Sequence, residues 1–144
     1  MAIAATHCEL LSLIREENYL NVGIMKTNNL KTLALYDAAD LNSELAAGKS
    51  HLRRVYKAEF ERHPELYTDC DSYTDIDAYE EEIDILTTRI NQELEEINQY
   101  EEFLNRQNMV NSTELEEIKV QEDSLKQTLQ SNISRDFAYG LNGG

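Results

Sequence analysis

Between residues 76 and 107 the chain repeats its apolar positions every seven residues. Ile76, Ile83, Ile90, Ile97 and Leu104 take the first position of each heptad, and Tyr79, Leu86, Glu93, Tyr100 and Gln107 take the fourth. One stripe of a helix is thus apolar for more than four heptads, with its fourth-position side the weaker. The spacing predicts a helix over 75–107 with a coiled-coil seam of Ile76, Tyr79, Ile83, Leu86, Ile90, Ile97, Tyr100 and Leu104. At about 1.5 Å per residue such a helix is roughly 48 Å long, so an elongated fold is expected.

Weaker periodicities flank it. Leu10, Leu13, Ile14 and Leu20 share one side of a helix predicted over 2–20, and Asn21, Gly23, Thr27, Asn28 and Asn29 then cluster as a short connection in which Asn28 or Asn29 can cap the next helix. That second helix is expected over 29–63, with Leu30, Leu33, Ala34, Ala38, Leu41, Leu45, Leu52, Tyr56 and Phe60 on one face, weakened at Gly48 and stopped by Pro64. Thr74 or Asp75 is placed to cap the heptad helix, with Asp77 and Glu80 at the positive end of its dipole. Asn108, Asn111 and Ser112 mark another connection. Thr113 with Glu116 then forms a capping box for a last helix over 113–139, carrying Leu115, Ile118, Leu125, Leu129, Ile133 and Phe137, with Gly140 as its C-cap.

Connections of this length join antiparallel neighbours. Folding about residue 69 sets Lys57 opposite Glu81 and Arg54 opposite Asp84, in a stretch where Lys49, Arg53, Arg54 and Lys57 meet Glu80, Glu81, Glu82 and Asp84. A parallel homodimer through the heptads is the rival arrangement, but it sets Glu96 against Glu101 of its partner. The expected fold is therefore all-α: one domain over 1–144, an elongated antiparallel helical hairpin or bundle around the seam.

Charge narrows the partners. Residues 1–64 hold eight Lys/Arg and eight Asp/Glu, whereas 65–144 hold five against twenty, so the net charge of −15 falls in the second part. A surface of that sign repels nucleic acid and anionic membranes. The first fourteen residues include ten apolar ones without a basic stretch before them, which is not the form of an ordinary signal peptide, and no run approaches the ~20 apolar residues of a membrane span. A cytosolic location is the default, with export that needs no cleaved signal left open. Cys8 and Cys70 stand alone and read as reduced thiols.

Asp69 to Glu80 is the sharpest local pattern. It places Asp at positions 1, 3 and 9 and Glu at 12 of a calcium loop, but puts Tyr73 at a ligand position and Thr74 where a turning Gly is required. An acidic, solvated loop is the better reading. His7, His51 and His63 do not form the Glu-x-x-His pairs of di-iron bundles, and phosphate-loop, dinucleotide and hydrolase motifs are absent, so no enzyme, cofactor or metal is expected. Eight Tyr include seam residues and candidates for protein contacts. The closing Gly143-Gly144 resembles the conjugated tails of ubiquitin-like proteins only in those two residues, without their β-rich fold.

These features point to a protein that binds other protein surfaces. The first expectation is a structural subunit that packs with copies of itself into a homomeric complex, a filament being one form, through Leu10, Leu11, Leu13, Ile14, Lys49, Arg53, Arg54, Lys57, Phe137, Tyr139 and Leu141. The alternative is a small acidic chaperone or adaptor that holds an amphipathic helix of another helical protein.

Overall fold

The computed structural model describes residues 2–142, with the side chains of 3–138. Two long helices, α1 (Ala2–Arg62) and α2 (Asp77–Asn142), pack against each other as an all-α hairpin with no strand among the described residues. The chain divides into two compact units. Unit 1 takes residues up to Leu30 and from Leu104 onward, and unit 2 is Lys31–Phe103.

In unit 2 the residues of the heptad seam are buried to different degrees. Ile90 is fully buried and Ile76 nearly so, with Tyr79, Ile83, Leu86 and Ile97 half-buried. On α1 of this unit Ala34 is buried, and Ala38, Leu41, Leu45, Gly48 and Leu52 are half-buried. The small residues let α1 approach closely: a Cβ at Gly48 would lie 2.6 Å from Cδ2 of Leu86. Each fully buried Ile contributes roughly 1.5 to 3 kcal/mol, so this row outweighs the exposed charges around it.

Pro64 ends α1 where its missing N–H and its clash with the preceding residue demand. The last helical residue is Arg62, and Pro64–Leu66 forms a short 3-10 turn. A second such turn, Tyr73–Asp75, is held by a capping box. Ser72 Oγ accepts from the Thr74 backbone N–H, and the Asp75 carboxylate accepts from the N–H groups of Asp71 and Ser72 at 3.1 and 3.2 Å. Ser72 and Asp75 thus cap the short turn, rather than Thr74 or Asp75 capping α2, which begins after Ile76. Aromatic rings close this end. Tyr79 packs edge-on against both Tyr56 and Tyr73 with centroids 5.4 Å apart, and Tyr67 stacks on Phe60 at 6.1 Å. Burial, and then the hydrogen bond to Glu82 on α2, push the Tyr56 phenol up.

The observed register differs slightly from a fold about residue 69. Arg89 meets Glu44 at 2.8 Å, Leu86 meets Gly48 and Tyr79 meets Tyr56, which puts the turning point near residue 67. Lys57 and Arg54 therefore do not pair with Glu81 and Asp84; Arg89–Glu44 is the cross-helix ion pair among the described residues.

Both short connections predicted inside the helices are helical. α1 runs through 21–29 and α2 through 108–112, so the four helices expected at 2–20, 29–63, 75–107 and 113–139 are two. The reason lies in how unit 1 pairs. Asn108 Nδ2 donates to Asn28 Oδ1 at 2.9 Å, Asn111 lies beside Gly23, and Thr27 Oγ1 donates to the Gly23 carbonyl at 2.9 Å. Residues that resemble chain breaks are one polar layer of the seam, in which Asn108 and Asn28 join the two helices while Asn108 Oδ1 stays buried without a partner. Thr113 is accordingly no cap: its hydroxyl donates back to the Met109 carbonyl. Gly140 is no C-cap either, since α2 continues to Asn142.

The seven-residue spacing also continues beyond its expected end. Leu104 and Ile118 are buried, with Asn111 and Leu125 half-buried, on the stripe of Ile76 and Ile90. The companion row shifts by one residue. Tyr100 is 42% exposed and Gln107 exposed, and Glu101, Asn108, Leu115, Glu122 and Leu129 face inward instead. Leu30 and Leu33 are likewise exposed, and the half-buried Lys31 holds the inward position between them. Its long apolar stem can cover the seam while the ammonium reaches water.

Candidate assembly surface

Each helix spends one stripe on its neighbour, so everything apolar outside that stripe stays in water. Among the described residues seven apolar side chains are buried and eighteen large ones are exposed. That balance directs attention to the outside of the molecule.

In unit 1, Leu11, Val22 and Met25 recur at 11 and 3 residues on α1. At about 100° per residue they share the side turned away from the seam of Leu10, Leu20 and Thr27. All three are exposed. On α2 of the same unit Met109 and Val120, again 11 residues apart, are about 70% exposed, and Ile133 and Phe137 are also in water. Between the two helices Leu13, Leu20, Ile118 and Leu125 contribute to shallow grooves walled by Glu9, Ser12, Glu16, Tyr19, Gln121 and Ser124.

In unit 2, Leu33, Leu35, Tyr36, Tyr100 and Phe103 are exposed within two short segments of the sequence, and Val55, Leu66 and Ile85 are the other large apolar side chains in water. Its charge is of another order. Residues 31–103 carry seven Lys/Arg against nineteen Asp/Glu, a net −12, whereas the rest of the chain carries six against nine, a net −3. The acidity thus belongs to unit 2 rather than to the second half of the sequence. A face of α2 in this unit carries Asp77, Glu80, Glu81 and Asp84, with Ile85, Thr88, Arg89 and Gln92 beside them.

The eleven residues expected at an assembly interface are differently placed. Leu11 and Phe137 are exposed, Leu13 and Ile14 are half-buried, and Leu10 is 8% exposed because it packs inside the helix pair of unit 1, where a neighbour cannot reach it. Arg53, Arg54 and Lys57 are exposed and Lys49 is half-buried, all in unit 2. The side chains of Tyr139 and Leu141 lie outside the described residues. Val22, Met25, Met109 and Val120 are not among the expected residues. An 11-residue spacing, three turns of helix, links Val22 to Leu11 and Val120 to Met109, and Met25 follows one turn after Val22.

Other chemistry is sparse. No group of three or more His, Cys, Asp or Glu is placed to hold a metal ion among the described residues, and the Asp75 carboxylate is engaged by backbone N–H groups. Cys8 and Cys70 are free thiols, and burial followed by the charge of Asp69 pushes the Cys70 thiol up, away from the reactive thiolate. No described helix is long and apolar enough to cross a membrane. No family model, curated protein or solved structure matches the chain.

Proposed function

We propose that the chain is a non-enzymatic structural subunit that assembles with copies of itself into a homomeric complex or filament. The observation that carries this reading is the two outer faces of unit 1, Leu11, Val22 and Met25 on α1 and Met109 and Val120 on α2, each exposed on a unit of low net charge. A neighbouring copy covers such a surface at little electrostatic cost, while the strongly acidic unit 2 remains in water and limits nonspecific association. Copies that repeat one such contact build a ring when the rotation closes and a filament when it does not.

The test is light scattering on a sizing column across concentrations, with electron microscopy of the largest species. Leu11→Asp is preferable to removal of residues 1–14, since the latter also removes the buried Leu10. The unaltered chain assembles; Leu11→Asp raises the dissociation constant about tenfold or more while shifting folding stability by no more than roughly 1 kcal/mol. A chain monomeric at every concentration overturns the reading.

The grooves flanked by Leu13, Leu20, Ile118 and Leu125 favour a second reading, a small acidic chaperone or adaptor that holds a partner's amphipathic helix. A monomer that binds such a helix with fixed stoichiometry supports it over self-assembly.

A further inference from the structure

Unit 1 contains a pairing that an apolar seam ordinarily avoids. Glu122 lies seven residues from both Leu115 and Leu129 on the inward row of α2 and is 6% exposed. Glu17 lies seven residues from both Leu10 and Ile24 on α1 and is half-buried. Each acid thus stands where the row calls for an aliphatic side chain. Glu17 lies between Leu13 and Leu20 on α1 and Glu122 between Ile118 and Leu125 on α2, and Leu13 shares one groove with Leu125 and Leu20 another with Ile118, so the two acids face each other across the seam; Oε1 of Glu122 is buried without a partner. The charged groups around Glu122 are Glu17 from α1, with Lys126 and Asp123 from α2 itself.

Two carboxylates cannot hydrogen-bond to each other, because neither has a hydrogen to give. Placed together out of water they repel, and neither recovers the solvation it lost. A single proton reverses both effects, since it supplies an O–H donor and removes one of the two charges. We propose that Glu17 and Glu122 form an acid-operated clasp in unit 1: sharing one proton they hydrogen-bond across the seam and tighten the helix pair, and with both ionised they loosen it.

Proton affinity runs the same way. The hydrogen bond to Glu17, then burial, then the charge of Glu17 raise the Glu122 carboxyl above its ordinary value of 4.5, against the pull of Lys126. A folded-state value above the unfolded one gives stability that is fully present below the unfolded value and is lost as pH rises through the folded one. The clasp therefore opens in the pH range above 4.5.

Hydrogen exchange of the full chain, corrected for intrinsic rates and monitored upward from about pH 4.5, tests this against Glu122→Gln, whose amide donates to Glu17 at every pH. The unaltered chain loses protection over 9–20 and 115–126 several-fold relative to Glu122→Gln as pH rises, while 83–97 in unit 2 behaves alike in both. Acid also relieves the repulsion of a chain at −15, but both proteins share that effect and their difference removes it. Carboxyl carbon NMR on the unaltered chain reads the titration of Glu122 directly, so the outcome does not depend on whether the variant folds. Identical pH profiles over 9–20 and 115–126, or a Glu122 carboxyl that titrates at or below 4.5, overturn the clasp.

Discussion

The two units pair the same two helices by opposite means. Unit 2 has a dry seam of Ile76, Ile83, Ile90 and Ile97 against small and aliphatic residues, and wears its charge outside. Unit 1 places Thr6, Thr27, Asn108 and Glu122 inside and leaves Leu11, Val22, Met25, Met109 and Val120 in water. Hydrophobic burial therefore carries the pairing in unit 2, where Ile90 and Ile76 leave water almost wholly and Ile83 and Ile97 in part. In unit 1 polar groups occupy part of the same stripe, where a satisfied hydrogen bond contributes only about 0.5 to 1.5 kcal/mol and the buried Asn108 Oδ1 and Glu122 Oε1 have no partner at all. Unit 1 also buries Leu10, Leu20, Leu104 and Ile118, so the two pairs differ less in apolar burial than in the polar groups set beside it.

The largest way to break this contrast is at Ile90, whose side chain has no exposure at all. Ile90→Asp buries an unpaired charge in the dry seam and costs about 3 to 5 kcal/mol, read as a collapse of the helical melting transition. If the melting temperature holds, unit 2 is not organised by its seam.

A smaller change sharpens the contrast from the other side. Gly23 lies inside α1, and a Cβ there would meet only Asn111 Nδ2 at an ordinary 3.5 Å. Gly23→Ala should stabilise by about 0.5 to 1 kcal/mol through helix propensity, measured by urea unfolding. The same change at Gly48 gains little, because the new methyl group displaces Leu86. Equal effects at the two glycines would mean that the units pack alike.

The smallest effect is expected at Arg89, whose partner Glu44 is half in water. Arg89→Ala should cost no more than about 0.5 kcal/mol, and that little should vanish in high salt. A salt-resistant loss above 1 kcal/mol would give surface charge a role in unit 2 that burial is here assigned.

The dry seam is the part of the fold most readily read from sequence, because five residues at heptad spacing leave a single face for them to share. Unit 1 is harder to read for a physical reason. Asn21 to Asn29 and Asn108 to Ser112 have the composition of turns, and taken one at a time they are turns. Only the pairing register reveals that Asn28 and Asn108 stand nearly the same distance from the hairpin's turning point, so that two apparent breaks become one hydrogen-bonded layer. The seven-residue steps from Leu104 through Asn111 and Ile118 to Leu125 carry the same information once a polar residue is accepted at a seam position. Of the candidate surface, the exposure of Leu11 is legible from its place beside the seam of Leu10 and Leu20. The inward row of Glu101, Asn108 and Glu122 does not announce itself, because polar residues score as outside until their partners are known.

The aromatic packing at the turn also gives the chain an optical asymmetry. It has no Trp, and six of its eight Tyr lie between residues 31 and 103, with Tyr79 packed against both Tyr56 and Tyr73. Near-ultraviolet dichroism, which requires rings held in fixed surroundings, therefore draws more on unit 2, while the far-ultraviolet band counts the helix of both. A sample in which the helical signal falls while the tyrosine signal stands has opened in unit 1 alone, which makes local melting of that unit visible without a label.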